Sequence, residues 1–116
     1  MKIAYVFATD MASRFKLSTM ILPQLEKKNH GPHVIGMMFF DDNIFVLRKG
    51  DPIGERLSKL AKDQNMLLMV CDQCAVRRNL AEGIFEQCGT GEVKASGFVE
   101  GVVAGCFPQL YDALGN

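Results

Sequence analysis

The sequence has few prolines, no net charge and no long hydrophobic run. Only 4 prolines, with 48% hydrophobic and 22% charged residues, exclude a disordered or collagen-like chain. Thirteen basic and thirteen acidic side chains argue against a nonspecific nucleic-acid binder or a protein that binds anionic membranes. The longest apolar runs, Val34 to Phe40 and Met66 to Cys71, are far shorter than the ~18 residues of a membrane-spanning helix. We therefore predict a folded protein without nucleic-acid or membrane partners.

The length and the N-terminal segment indicate one cytoplasmic domain. A chain of 116 residues corresponds to a single domain, residues 1–116. The run from Ile3 to Ala8 imitates the start of a signal peptide, but Thr9 and Asp10 interrupt it, so we interpret it as a strand. Four cysteines in a chain that can build its own core are more typical of reactive or metal-binding thiols in a reducing compartment than of a disulfide framework.

Apolar runs typical of buried strands alternate with helix-like stretches along the chain. The predicted strands are Ile3–Ala8, Val34–Phe40, Met66–Cys71 and Val99–Ala104. Four helices are predicted: 12–28 with a break at Pro23, a helix that starts at Asp51–Pro52 and ends near Gln64, Cys74–Leu80, and Phe107–Leu114. Between them, Ile44–Leu47 is predicted as a short apolar extension and residues 83–91 as a loop or helical turn. This alternation predicts an α/β fold, a three-layer α/β/α sandwich with a mainly parallel sheet.

The carboxyl ends of the predicted strands are where chemistry is expected. In open α/β sheets, ligands and reactive groups collect beyond this edge. It is predicted to hold Thr9 and Asp10 after the first strand, Cys71 and Cys74 after the central strand, and Cys106 after the last. Three of the four cysteines are therefore expected at one edge.

The segment around Cys71 and Cys74 is the sharpest motif in the sequence. The nucleophilic form of cysteine is the thiolate, which a helix N-terminus and nearby cations stabilise. Arg77 and Arg78 follow Cys74 by three and four residues and would share its helix face, whereas Asp72 acts in the opposite direction. Two thiols at C-x-x-C spacing on the functional edge favour chemistry over simple packing.

Other readings of the cysteines stay open. The C-x-x-C spacing serves redox, metal and sulfur-transfer proteins alike, and Cys71 alone could equally be a core residue. A structural zinc site needs a second close pair, but Cys88 and Cys106 are isolated, and His30 and His33 are expected at the opposite edge, so no metal site is predicted. Cys88 is given no role, and Cys106 is either a packing residue or a resolving thiol. No dinucleotide-binding or Walker A motif occurs.

The segment from Cys71 to Arg78 resembles the DsrE/TusD-like (DsrE/DsrF-like) sulfur-relay family and its C-x-x-C-containing relatives. In that family a cysteine at the end of the third strand is followed by small residues and a double arginine. Phe39 to Phe45 is similar to its aromatic strand and acidic turn, and Ser96 to Phe98 to a later Ser-Gly-apolar element. The chain departs from the family at Asn79, where relatives often have glycine, and at Cys74, where the classical relay subunit has a small apolar residue.

The resemblance implies a flavodoxin-like topology and a sulfur carrier or sulfurtransferase. Cys71 would accept sulfane sulfur as a persulfide and pass it to a partner thiol, with Cys74 as second thiol and Arg77 and Arg78 as electrostatic support. No cofactor is implied; the implied partners are sulfur-donor and sulfur-acceptor proteins or small persulfides, and a second copy of the chain. If Cys74 reaches the inner sulfur of a Cys71 persulfide, the pair would act instead as a thiol–disulfide redox protein. A noncatalytic binding subunit is the third alternative.

Overall fold

The computed structural model describes residues 2–8, 13–27, 33–84 and 92–115, which form a mixed α/β fold. The strands are β1 (Lys2–Phe7), β2 (His33–Phe39), β3 (Leu67–Cys71), β4 (Glu82–Ile84), β5 (Glu92–Lys94) and β6 (Val102–Gly105). Four of them form an all-parallel sheet in the order β1-β2-β3-β6, and β4 and β5 form a separate antiparallel pair. The predicted α/β class with a parallel sheet is confirmed.

Helical segments lie between the strands, and one more follows the last strand. They are α1 (Ser13–Lys16), a π-helical turn (Leu17–Ile21), α2 (Leu22–Glu26), a 3₁₀ segment (Asp41–Leu47), α3 (Pro52–Gln64), α4 (Asp72–Arg77) and α5 (Phe107–Gly115). Among the described residues, no helix combines the length and the hydrophobicity of a membrane-spanning segment.

The sheet order decides which face each helix covers. Right-handed crossovers that always step in the same direction place their helices on one face of the sheet. The larger apolar cluster accordingly joins Leu22 of α2 and Leu57 of α3 to sheet residues such as Phe39. On the other face, Leu110 of α5 packs with Met38, Met69 and Cys106. The described helices therefore cover both faces, as an α/β/α sandwich requires.

The strand order differs from the flavodoxin-like order that the resemblance implied. In a flavodoxin-like sheet the second strand lies on the far side of the first, so the order doubles back. Here β2 lies between β1 and β3, and all four strands follow the chain. The hydrophobic pattern of each strand marks it as buried but does not record which neighbour it pairs with.

Local signals in the sequence explain the bounds of α3. The Asp51 carboxylate accepts hydrogen bonds from the backbone N–H groups of Ile53 at 3.0 Å and Gly54 at 3.4 Å, and Pro52 occupies the first turn. The helix ends at Gln64, and Asn65 follows in the left-handed region with φ 56°. The predicted helix from Asp51–Pro52 to about Gln64 is confirmed.

The first predicted helix, 12–28, is interrupted as Pro23 suggested. The backbone N–H of Leu22 donates to the carbonyl of Leu17, five residues earlier, which is the π-helical pattern. The α-helix resumes with Pro23 in its first turn, where the missing N–H of proline costs nothing. The interruption is therefore a local change in hydrogen-bond pattern, and the chain stays helical from Ser13 to Glu26.

Three short segments differ from expectation. The region predicted as a loop from Gly83 begins inside β4, and residues 85–91 lie outside the described residues. The last strand begins at Val102 and not at Val99, because Gly101 turns the chain with φ 92°. The apolar extension Ile44–Leu47 belongs to the 3₁₀ segment, and an antiparallel bridge from Arg48 to Phe98 follows it.

Candidate functional site

The carboxyl ends of β3 and β6 bring cysteines together. Cys71 is the last residue of β3 and is paired in register with Gly105 of β6, directly before Cys106. Cys74 follows within α4, on the same edge of the sheet. Thr9 and Asp10, also predicted at this edge, lie outside the described residues.

The start of α4 positions the Cys71–Cys74 pair. Cys71 is the N-cap, with extended backbone at φ −60° and ψ 124°, and Cys74 lies within the first helical turn. The Asp72 carboxylate accepts the N–H of Gln73 at 2.8 Å, which helps to fix this turn. Both cysteines are free thiols; Cys71 is buried, only 5% exposed, and Cys74 is partly exposed.

A hydrogen bond between the two side chains separates their acidities. The Cys71 thiol donates to the Cys74 sulfur, and this contact lowers the pKa of Cys74 to about 6 although burial opposes the shift. The same contact, with burial, raises the pKa of Cys71 well above its ordinary range. At pH 7, Cys74 is therefore mainly a thiolate and Cys71 a thiol.

Two further groups lower the pKa of Cys74. The backbone N–H of Asp41 donates to the Cys74 sulfur at 3.2 Å, and the positive charge of Arg78 adds a favourable electrostatic interaction. The Asp41 carboxylate works against them and raises the pKa of Cys74. Because the 3₁₀ segment starts at the carboxyl end of β2, next to β3, a residue far away in sequence reaches the thiol.

Arg77 and Arg78, predicted as equivalent supports, have different surroundings. Arg78 donates from Nε to Asp42 Oδ1 at 2.9 Å and from Nη1 to the Cys74 carbonyl at 3.3 Å. Arg77 is exposed, and within the described residues it has no ion pair. Of the two arginines, Arg78 is the one that contacts the thiol site.

Cys106 corrects the expectation that the cysteines avoid disulfides. It is buried and disulfide-bonded, so in this state it is not a resolving thiol for Cys71 or Cys74. Its backbone N–H donates to Gln109 Oε1 at 2.8 Å at the start of α5. Cys88 lies outside the described residues. No group of three or more His, Cys, Asp or Glu able to hold a metal ion occurs in the described ranges.

Sequence reasoning missed Asp41 and Asp42 as parts of the site. The sequence indicates the Asp41-Asp42-Asn43 run only as an acidic turn, although it directly follows the second strand at the carboxyl edge of the sheet. The position at the end of a parallel strand was the signal that could have identified both residues.

An exposed aromatic stack lies on the side of the sheet that α5 covers. Phe40, directly before Asp41, stacks on Phe107 with ring centroids 5.1 Å apart, and Phe107 stacks on Tyr111 at 6.0 Å. Phe107 is 43% and Tyr111 65% exposed, so much of the stack faces solvent. The stack is therefore an exposed aromatic patch on α5.

The fold and the paired thiols define an α/β protein with a C-x-x-C dithiol at the carboxyl edge of a parallel sheet. No family model, curated protein or solved structure matches this chain. The resemblance to the DsrE-like family therefore depends on the sequence motifs alone.

Proposed function

We propose that this protein carries out thiol–disulfide exchange, with Cys74 as the attacking thiolate and Cys71 as the resolving thiol. The observation that carries the proposal is the hydrogen bond from the Cys71 thiol to the Cys74 sulfur. It keeps the more exposed cysteine ionised and holds the second sulfur beside it. A buried thiol next to a thiolate is the arrangement that a two-step exchange needs.

The proposed reaction transfers two electrons to a disulfide substrate. The Cys74 thiolate attacks one sulfur, forming a mixed disulfide, and the other half of the substrate leaves as a thiolate. That thiolate takes the proton of Cys71, whose sulfur then attacks Cys74 and releases the remaining half. The dithiol is oxidised to a Cys71–Cys74 disulfide, the substrate is reduced to two thiols, and an external small thiol or dithiol reductant restores the pair.

The second candidate is the sulfur carrier implied by the DsrE-like resemblance. The Cys74 thiolate would attack the outer sulfur of a persulfide, giving a Cys74 persulfide and a free donor thiolate. The burial of Cys71 favours this candidate, since a buried thiol tends to stay protonated and then resolves the persulfide slowly. The resemblance assigned the sulfur to Cys71, whereas the acidities favour first attack by Cys74. A donor and an acceptor, as proteins or small persulfides, would be the partners.

Compartment and assembly are further parts of the proposal. The free dithiol fits the cytoplasm, where thiols stay reduced, whereas the disulfide at Cys106 is of a kind that is rare there. Counting the reduced cysteines of protein extracted under acid quenching tests whether the protein resides in a reducing or an oxidising compartment.

We also propose a homo-oligomer, which the resemblance implies and the exposed rings of Phe107 and Tyr111 support. Sedimentation analysis tests the oligomeric state.

Intact-protein mass spectrometry after incubation with a small organic persulfide tests the function. The unmodified protein is compared with Cys71→Ser and Cys74→Ser. Loss of two hydrogens that requires both cysteines supports the redox dithiol. One added sulfur that survives Cys71→Ser and disappears with Cys74→Ser supports a carrier built on Cys74, and the reverse pattern supports Cys71 as the carrier. No mass change in any variant, under conditions that modify a reference thiol protein, would contradict both candidates and leave the noncatalytic binding subunit.

A further inference from the structure

The backbone of Asp41 is held in an unusual conformation beside Cys74. Asp41 begins the 3₁₀ segment with φ 55°, in the left-handed region that residues with a Cβ enter only at a cost in free energy. Aspartate tolerates this region better than most residues, and here it aims the Asp41 N–H at the Cys74 sulfur, 3.2 Å away. A contact that depends on such a backbone needs its surroundings to hold it.

Arg78 connects the two sides of this contact. Its Nε donates to Asp42 Oδ1 at 2.9 Å, and its Nη1 donates to the carbonyl of Cys74 at 3.3 Å. One guanidinium therefore ties the residue after Asp41 to the residue that carries the thiolate. Both ends of the N–H···S contact are anchored to the same planar group.

The end of α4 fixes the position of Arg78. The N–H of Asn79 donates to the Val76 carbonyl at 3.0 Å and that of Leu80 to the Ala75 carbonyl at 2.9 Å, with Asn79 left-handed at φ 61°. These paired bonds form a Schellman motif that terminates the helix at Arg78. The guanidinium therefore extends from a backbone position that is itself well defined.

We propose that the Arg78–Asp42 ion pair is a positioning device that holds the Asp41 amide against the Cys74 sulfur. Asp42 and Arg78 then act together by fixing the geometry of the 3₁₀ segment. In this way Asp42 stabilises the Cys74 thiolate indirectly, although its own negative charge opposes that ionisation. The inference rests on the proposed function only in taking Cys74 as the working thiolate.

A direct effect of charge and a positioning effect predict opposite results at Asp42. If only charge matters, removing the Asp42 carboxylate favours the thiolate and lowers the pKa of Cys74. If the ion pair positions the Asp41 amide, the same change weakens the N–H···S contact and raises that pKa. Within the described residues, the other charged or titratable groups that shift the pKa of Cys74 are Cys71, the Asp41 carboxylate and Arg78, and the Asp42 variant leaves all three in place.

The experiment is the pH dependence of Cys74 alkylation by iodoacetamide, with the site of modification identified by mass spectrometry. We expect Asp42→Ala and Arg78→Gln each to raise the pKa of Cys74 by about one unit, the scale of a weakened hydrogen bond to a charged group. Asp42→Asn keeps an oxygen that accepts from Arg78, and it should stay closer to the unmodified protein than Asp42→Ala. Arg77→Gln is the matched control, because it removes a neighbouring positive charge from an exposed side chain.

The direction of the pKa change at Cys74 decides whether Asp42 has a positioning role. A lower or unchanged pKa in Asp42→Ala would overturn the positioning role, as would an equal rise in Arg77→Gln and Arg78→Gln. Circular dichroism verifies that the variants fold. Loss of the Arg78–Asp42 ion pair should change stability little, because 58% of the Asp42 side chain is exposed. Because the alkylation profile reports ionisation alone, it stands or falls separately from activity on any disulfide or persulfide.

Discussion

The Cys71 thiol donates a hydrogen bond to the Cys74 sulfur, and this contact assigns different tasks to the two cysteines. Cys74 is partly exposed, and its pKa, lowered to about 6, favours the thiolate at pH 7. Cys71, buried at the end of β3, keeps its proton. The first proton that the pair loses therefore leaves a negative charge centred on Cys74.

Removing the thiol donor tests this division directly. Cys71→Ala deletes the contact that lowers the pKa of Cys74 most, so we expect that pKa to rise by about 1–2 units. Cys71→Ser keeps a hydroxyl donor at the same place and should raise it less. Alkylation rates of Cys74 between acidic and alkaline pH measure both values. Identical profiles for the alanine variant and the unmodified protein would contradict the assignment of Cys71 as the proton donor.

The Asp41 side chain and backbone act on Cys74 in opposite directions. The carboxylate raises the pKa of Cys74, while the N–H lowers it. Asp41→Asn removes only the charge, because asparagine also accepts the left-handed backbone with φ 55°. We expect a pKa about half a unit lower and faster alkylation at acidic pH. A rise in the same profile would show that the carboxylate instead supports the local geometry.

The fold was predictable where the signals are local. The Asp51–Pro52 start of α3 and the apolar runs of β1, β2 and β3 depend on residues close in sequence. The strand order was not, because buried strands have the same hydrophobic pattern whichever neighbour they pair with. β4 and β5, with 3 residues each, are too short for any periodicity to mark them.

The cysteine pair was predictable from the sequence, whereas the surrounding groups that set its electrostatics were not. The C-x-x-C spacing identifies Cys71 and Cys74 as a pair, but the lower pKa of Cys74 depends partly on the Asp41 amide, 33 residues away in sequence. Only the pairing of β2 with β3 brings that amide to the thiol. The disulfide at Cys106 was likewise beyond the reach of spacing arguments.

The Asp51 side chain combines two stabilising roles that substitutions can separate. It caps α3 and forms an ion pair with Arg14 of α1. Asp51→Ala removes both and should lower the free energy of unfolding by about 1–2 kcal/mol, whereas Asp51→Asn keeps a capping oxygen and should lower it by less than about 1 kcal/mol. Urea denaturation at pH 7 measures the difference. Equal losses in the two variants would mean that the ion pair, and not the cap, carries the stability.

The same carboxylate makes part of the stability depend on pH. Burial raises the pKa of Asp51, but hydrogen bonds from Arg14 and from the Gly54 N–H outweigh it, so the net pKa lies below its ordinary value. A carboxyl with a lowered native pKa contributes stability above its unfolded pKa and loses it as the pH falls through the native value. Between neutral pH and strongly acidic pH, the unmodified protein should therefore lose more stability than Asp51→Asn. Parallel losses in the two proteins would contradict this coupling.

The packing of α3 against the 3₁₀ segment provides the last test. Gly54 lies so close to that segment that a Cβ would be 2.5 Å from the Val46 carbonyl oxygen and 3.2 Å from the Leu47 Cα. Alanine in an open helical position normally stabilises by about 1 kcal/mol relative to glycine, but this clash should make Gly54→Ala destabilising by roughly 1–3 kcal/mol. Gly115→Ala, at the end of α5 with open space around it, is the control and should change stability by less than about 0.5 kcal/mol. The displaced segment begins at Asp41, so Gly54→Ala should also raise the pKa of Cys74. Equal stability and equal alkylation profiles in Gly54→Ala and Gly115→Ala would contradict this prediction. They would show that the segment adjusts without moving the Asp41 amide.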